Sequence, residues 1–204
     1  ACYAIKQGAS RLIIFENETD ARRLKKEHPE YILIGERHGL KIKGAEHNNS
    51  PYEVAQEDFR GKTALLTTTA GTKALTQYSR SREVITGAFV NASAVVGYIN
   101  TNKINEVSLV CTDDKFQDGE DYECAKYIKS LLTGKEVDIE KIKTRLRNHP
   151  SAFGFIKKPL TKYGPEDFKL CLQFNKFDFI LRAKKVGRQL FLEPINAPIY
   201  GGRK

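Results

Sequence analysis

Apolar residues along this chain fall in short runs, separated by stretches in which they recur at helical spacing. Residues 11–16 (RLIIFE), 31–35 (YILIG), 63–67 (TALLT), 83–88 (EVITGA) and 106–111 (EVSLVC) read as strands. Most are apolar on both faces, the pattern of strands covered by a layer on each side. Residues 1–7, 19–27, 70–78, 92–100 and 121–132 read as helices. The first stops at Gly8; the second has Thr19 as a cap and ends at His28-Pro29. A polar loop fills residues 36–50, and Pro51 suits the first turn of a short helix. The alternation predicts an α/β fold: three layers, α/β/α, on a largely parallel or mixed sheet.

Beyond Gly134 the pattern changes. Residues 137–147 read as a basic helix and 159–174 as another, with Pro165 near a turn. Residues 180–184 and 189–192 read as a β-hairpin around Gly187. No linker-like stretch divides the chain, so residues 1–204 are expected to form a single domain. Its motif-bearing core would be residues 1–135, with residues 136–204 a basic C-terminal helical and β-hairpin extension. Residue 1 is Ala and the chain opens directly on a helical pattern without a cap, so it is expected to begin inside a longer gene product.

Composition narrows the function classes. Forty per cent hydrophobic and 29% charged residues mark a globular protein. No apolar run approaches the ~20 residues of a membrane span. The net charge is +9, unevenly spread: residues 1–125 carry 16 basic and 18 acidic side chains, residues 126–204 carry 18 and 7. Such a surplus serves nucleic acid, an anionic ligand or a solvated surface. No RRM- or KH-type pattern is present, which argues against nucleic acid. The four cysteines form no CxxC pair. Cys111 and Cys124 read as buried small hydrophobes, in keeping with a reducing, cytoplasmic compartment.

In a parallel sheet, ligands gather where strand ends meet helix starts. Thr67-Thr68-Thr69-Ala70-Gly71-Thr72 offers hydroxyls and free N–H groups at a helix start, an anion site or simply a capped strand end. Residues 35–44 place Glu36, Arg37 and Lys41 at another strand end, where Arg37 suits an anion and Glu36 a metal or a proton. Asn49, Ser50 and Asn91 supply cap chemistry, which accounts for them as well as ligand contact does. Asp113, Asp114, Asp118, Glu120 and Asp121 are hard oxygen ligands suited to Mg²⁺, and equally the acids a helix dipole prefers. His28 and His149 each precede Pro and read as structural; His38 and His47 share the polar loop as weak catalytic candidates.

In this order and at these distances, the strand-end motifs resemble the 2-phosphosulfolactate phosphatase family. The resemblance rests on Gly35-Glu36-Arg37, Gly39-Leu40-Lys41-Ile42, Gly44, Asn49-Ser50-Pro51, Gly61-Lys62, Thr67-Thr68-Thr69, Gly71-Thr72, Gly87, Asn91-Ala92, Glu120-Asp121 and Cys124-Ala125. It runs from about residue 8 to residue 125, and more loosely through Asp167-Phe168 and Cys171. It implies an α/β enzyme that uses Mg²⁺ to hydrolyse 2-phospho-3-sulfolactate to sulfolactate and phosphate, a coenzyme M biosynthesis-type step.

With strand-end placement added, Glu36, Arg37 and Asp121 become catalytic candidates, and Glu36, Glu120 and Asp121 metal ligands. Arg37, Lys41, Asn49, Ser50, Thr67, Thr68, Thr69, Gly71, Thr72 and Asn91 become substrate contacts. The partner would be a small anionic phosphorylated acid, and the basic helices and terminal hairpin offer a surface for a homo-oligomer. This chain departs from the family in Ala70, where Asn is expected, and in Cys111-Thr112-Asp113-Asp114. The family's N-terminal strand and its Asp-x-x-Arg segment would lie before Ala1. The alternatives are a non-catalytic anion- or nucleic-acid-binding relative, and a phosphatase for another small phosphorylated acid.

Overall fold

The computed structural model describes residues 1–112, 119–152 and 164–201. Among these, seven strands form one mixed sheet in the order β3-β2-β4-β1-β7-β6-β5. β1 (Arg11–Phe15), β2 (Ile32–Arg37) and β4 (Thr63–Thr67) are the parallel part, with Ile14 opposite Leu66 and Gly35 opposite Thr67. Each is apolar on both faces because helices cover both. Leu12, Ile14, Ala64 and Leu66 join a core with Tyr3 of α1 (Cys2–Lys6) and Val54 of α3 (Pro51–Ala55), and Leu75 of α4 (Gly71–Tyr78) packs against it. Ile13, Leu33 and Leu65 face the other way, onto Ala21 and Leu24 of α2 (Glu18–Glu27). Asn17 caps α2, its side chain accepting from Asp20 N at 2.9 Å.

The expected hairpin is present, and its place is inside the sheet. β6 (Phe179–Val186) and β7 (Gln189–Asn196) pair antiparallel along eight residues each. β7 then pairs with β1, Leu192 opposite Leu12 and Leu190 opposite Ile14. The local pattern announces a hairpin but not its neighbour; β1 needs an apolar partner on its second edge, and β7 is that partner. On the far side of the hairpin, the strand expected at residues 83–88 is only β5 (Ile85–Thr86), paired with β6.

A second apolar cluster lies over β6. It joins α5 (Ala92–Thr101), α6 (Glu120–Leu132) and α7 (Ile139–Asn148) to Ile180. α5 is built mostly of small and β-branched residues, and the chain after β7 crosses it at Gly97: a Cβ there would lie 1.8 Å from the Pro198 carbonyl oxygen. Ser93 fixes this crossing, donating to Tyr200 O at 3.1 Å and accepting from Tyr200 N through its own carbonyl. Glu123 of α6 is buried and ion-paired to Arg145 of α7 at 2.7 Å. α8 (Pro165–Cys171) is the described part of the helix expected at 159–174; residues 159–163 lie outside the described residues.

One expected strand does not form. Residues 105–111 carry no ladder, and Val107, Leu109 and Val110 are 40%, 37% and 50% exposed. The run has strand composition, but pairing is non-local, and none of the seven strands pairs with it. Cys111, expected buried, is exposed; Cys124 is half-buried, and burial pushes its thiol up to about 12.

Candidate functional site

β2 and β4 end side by side, and the tightest polar group near their ends forms there. Gly35 is required at the junction: a Cβ would lie 2.7 Å from Ile42 Cδ1 and 3.0 Å from Thr67 Cγ2. The next two residues leave the β2–β4 register and turn at His38-Gly39 into β3 (Leu40–Lys41), Glu36 opposite Lys41.

Arg37 donates from Nη1 to Glu36 O at 2.7 Å, and from Nη2 to Glu16 O at 2.8 Å and Thr67 Oγ1 at 2.7 Å. All three acceptors are neutral. Among the described residues no carboxylate lies within ion-pair distance of this half-buried guanidinium. Its orientation is therefore fixed while its charge is left uncompensated.

Glu36 is 6% exposed, and its carboxylate ties the two loops together. Oε1 accepts from Thr69 N at 2.6 Å; Oε2 accepts from Thr69 Oγ1 at 2.9 Å and Gly39 N at 2.8 Å. Thr69 Oγ1 also accepts from His38 N at 2.9 Å. Lys41 is exposed beside them and donates to Glu46 O at 3.2 Å.

The start of α4 completes the group. Thr68 and Thr72 lock each other: Thr68 N donates to Thr72 Oγ1 at 3.1 Å, Thr72 N donates to Thr68 Oγ1 at 3.2 Å, and Thr72 Oγ1 donates to Thr68 O at 2.8 Å. Ala70, at the cap position, has no side-chain cap to offer. Among the described residues the N–H groups of Ala70 and Gly71 have no partner, and a Cβ on Gly71 would meet only Thr68 Oγ1, at 3.6 Å. No acid stands in this first turn. Exposed Lys73 stands there instead, against the dipole unless an anion is bound. Sequence reasoning passed over Lys73; its signal is a cation where helix starts favour acids.

Two of the expected substrate contacts are committed elsewhere. Asn91 is fully buried, its Oδ1 accepting from Ala88 N and its Nδ2 donating to Thr86 O and Phe179 O. By strand register Phe179 lies seven positions from the level of Thr67, roughly 23 Å, at the opposite end of the sheet. Ser50 caps α3 and donates to Oδ1 of buried Asp167 at 2.6 Å. Tyr52 N and Gly164 N complete the hold on that carboxylate, which staples α3 to α8. Asn49 follows Asn48 in the same loop and donates its N–H to Asn48 Oδ1 at 2.9 Å.

The expected magnesium ligands do not assemble. Glu36 spends both carboxylate oxygens on three donors, Glu120 is exposed on α6, and Asp121 Oδ2 accepts twice from Thr112, each at 2.8 Å. Among the described residues no three His, Cys, Asp or Glu side chains are placed to hold a metal ion. Asp113, Asp114 and Asp118 lie outside the described residues. His47 sits between Glu57 at 3.1 Å and Glu53 at 3.9 Å, and His28 stacks on Tyr31 at 4.5 Å.

A fixed guanidinium, an ammonium and free backbone donors share one strand-end corner, donor chemistry that suits an anion. Residues 1–185 match the family model described as 2-phosphosulpholactate phosphatase. A protein of Caldicellulosiruptor saccharolyticus named probable 2-phosphosulfolactate phosphatase is 38% identical over 143 residues, 67% of this chain and 59% of its own length. One of Caldanaerobacter subterraneus with the same name is 33% identical over 199 residues, 89% of this chain and 81% of its own. A Bacillus subtilis protein, again so named, is 26% identical over 96% of this chain and 86% of its own. No helix among the described residues is long and apolar enough to cross a membrane.

Proposed function

The chain belongs to the 2-phosphosulpholactate phosphatase family, and from that premise we propose that it hydrolyses 2-phospho-3-sulfolactate to sulfolactate and phosphate at the shared end of β2 and β4. The observation that carries the reading is Arg37, whose guanidinium is held by two carbonyls and a hydroxyl, with no carboxylate among the described residues to neutralise it. The N–H groups this leaves free, one on Nη1 and one on Nε, remain to meet a phosphoryl oxygen beside a fixed positive charge.

Ala70 N, Gly71 N and Lys73 supply the other donors, with the start of α4 behind them. Phosphoryl transfer spreads charge over the equatorial oxygens, and donors already in place stabilise it without reorganising. Glu36 positions this corner, holding the Thr69 backbone against the turn at Gly39. Water supplies the attacking oxygen; the ester P–O bond breaks and the leaving oxygen of sulfolactate takes up a proton.

Magnesium dependence rests on the family resemblance alone, and no step is routed through a metal. A coenzyme M-type role and a cytoplasmic setting go with this reading, and four free thiols accord with the second.

The test is phosphate release from 2-phospho-3-sulfolactate, with and without Mg²⁺. Arg37→Ala is expected to raise KM by about 10–100-fold, one to two charge-assisted contacts, with the fold intact by circular dichroism. Arg37→Lys recovers little, because an ammonium cannot satisfy the three fixed acceptors and still reach the ligand. Absence of phosphate release from the parent protein, or an unchanged KM in Arg37→Ala, would overturn the reading.

A further inference from the structure

The tip of the β6–β7 hairpin carries two cations that no carboxylate among the described residues neutralises. Along β6, Lys184 pairs with Glu193 at 3.5 Å and Arg182 approaches Glu83 at 4.0 Å. Lys185 and Arg188, both exposed, have no hydrogen-bond or ion-pair partner among the described residues. Lys185 lies one residue before the end of β6 and Arg188 is in the two-residue hairpin loop itself, where Gly187, at φ 59°, supplies the backbone conformation.

Strand register fixes where that tip lies. Ile14 stands opposite Leu190 on one side and Leu66 on the other, and Phe15 stands opposite Thr67. The start of β7 therefore sits level with the ends of β1, β4 and β2, at the end of the sheet that carries Arg37. Gln189 is two strand spacings from Thr67, about 10 Å between backbones. Lys185 is paired with Leu190, whose side chain belongs to the face α4 covers, so the lysine emerges on the same face as the start of α4.

A phosphorylated sulfolactate carries three anionic groups on a short carbon frame. Arg37 and the start of α4 serve one of them. We propose that Lys185 and Arg188 form the outer wall of the site and bind the anionic groups that are not transferred, the sulfonate above all, setting selectivity for polyanionic esters. This rests on the phosphatase reading above and deepens it. The tip lies beside the strand ends rather than on them, so its charges select the substrate without taking part in bond breaking.

The test compares the parent with Lys185→Ala, Arg188→Ala and the double variant on two substrates, 2-phospho-3-sulfolactate and 2-phospholactate, which lacks the sulfonate. The double variant is expected to raise KM for the sulfonated ester by about 10-fold, with kcat within a factor of about two. KM for 2-phospholactate changes far less, and the salt dependence of KM for the sulfonated ester weakens. Lys184→Ala, whose charge is already paired, leaves both substrates unaffected. Equal KM values in parent and double variant, with the parent active, would overturn this inference alone; equal losses on both substrates would also overturn it, as a general effect. A parent that releases no phosphate from the sulfonated ester overturns the functional reading, and this inference with it.

Discussion

Glu36→Ala separates a positioning carboxylate from a metal-ligating one by stability alone, without turnover. In the structure the carboxylate is buried and accepts from Thr69 N, Thr69 Oγ1 and Gly39 N at 2.6–2.9 Å. Bonds to a charged acceptor are worth about 1.5–3 kcal/mol each, so three sum to a gross figure well above 4 kcal/mol. Two corrections reduce it. Burying the carboxylate costs part of that gain, and Thr69 is exposed, so water can reach donors the truncation frees. A net loss of about 2–4 kcal/mol is expected. The assay is urea unfolding followed by circular dichroism and tyrosine fluorescence, since the chain has nine Tyr and no Trp. With a slope of about 2 kcal/mol per molar urea, the midpoint falls by about 1–2 M. A carboxylate held ready for a metal behaves in the opposite sense: in metal-free buffer its removal relieves an uncompensated charge. A variant as stable as the parent, or more stable, in the presence of a chelator would refute the positioning argument.

Two other outcomes are expected. Gly97→Ala gains about 1 kcal/mol of helix propensity, but its Cβ would meet the Pro198 carbonyl at 1.8 Å, displacing the crossing chain and its two Ser93–Tyr200 bonds; a net loss of about 1–2 kcal/mol, with faster chymotrypsin cleavage at Tyr200, is expected, and a more stable variant with Tyr200 still protected would contradict the packing. Burial raises the Cys124 thiol from an ordinary 9.0 to about 12, so the unfolded chain ionises first; this contribution to stability is complete below pH 9 and is lost as pH rises toward 12, by at most about 1.4 kcal/mol per unit, and Cys124→Ala should flatten the decline measured by urea unfolding, an identical pH profile counting against it.

What the sequence discloses is what depends on neighbours in the chain. β1, β2 and β4 are legible because runs such as RLIIF and TALLT are apolar on both faces, and only a doubly covered strand tolerates that. Arg37 is legible because a charged residue directly after such a run must sit at a strand end. Residues 105–111 show the limit: the same composition without a partner gives an exposed extended stretch, since a strand is made by its neighbour. Asn91 fails as a ligand for a related reason. It stands at a strand-to-helix junction like the others, but three antiparallel pairings in a row, β1–β7, β7–β6 and β6–β5, run β5 opposite to β1 and put that junction at the other end of the sheet. Lys73 was hidden by its commonness; one exposed lysine is noticed only when the helix start around it proves to lack acids.

β7 beside β1 also governs the order in which the molecule can assemble. The three parallel strands are complete by Thr67, yet the strand that closes the open edge of β1 is synthesised some 180 residues after it. Until then Leu12, Ile13 and Ile14 present an apolar edge with unmet backbone donors and acceptors, an invitation to pair with another chain. Contacts this distant in sequence form slowly. A nascent chain of this protein therefore passes the synthesis of residues 68 to 188 with its central sheet half made, and truncation within them or slowed elongation should drive it to aggregate rather than to a smaller folded form.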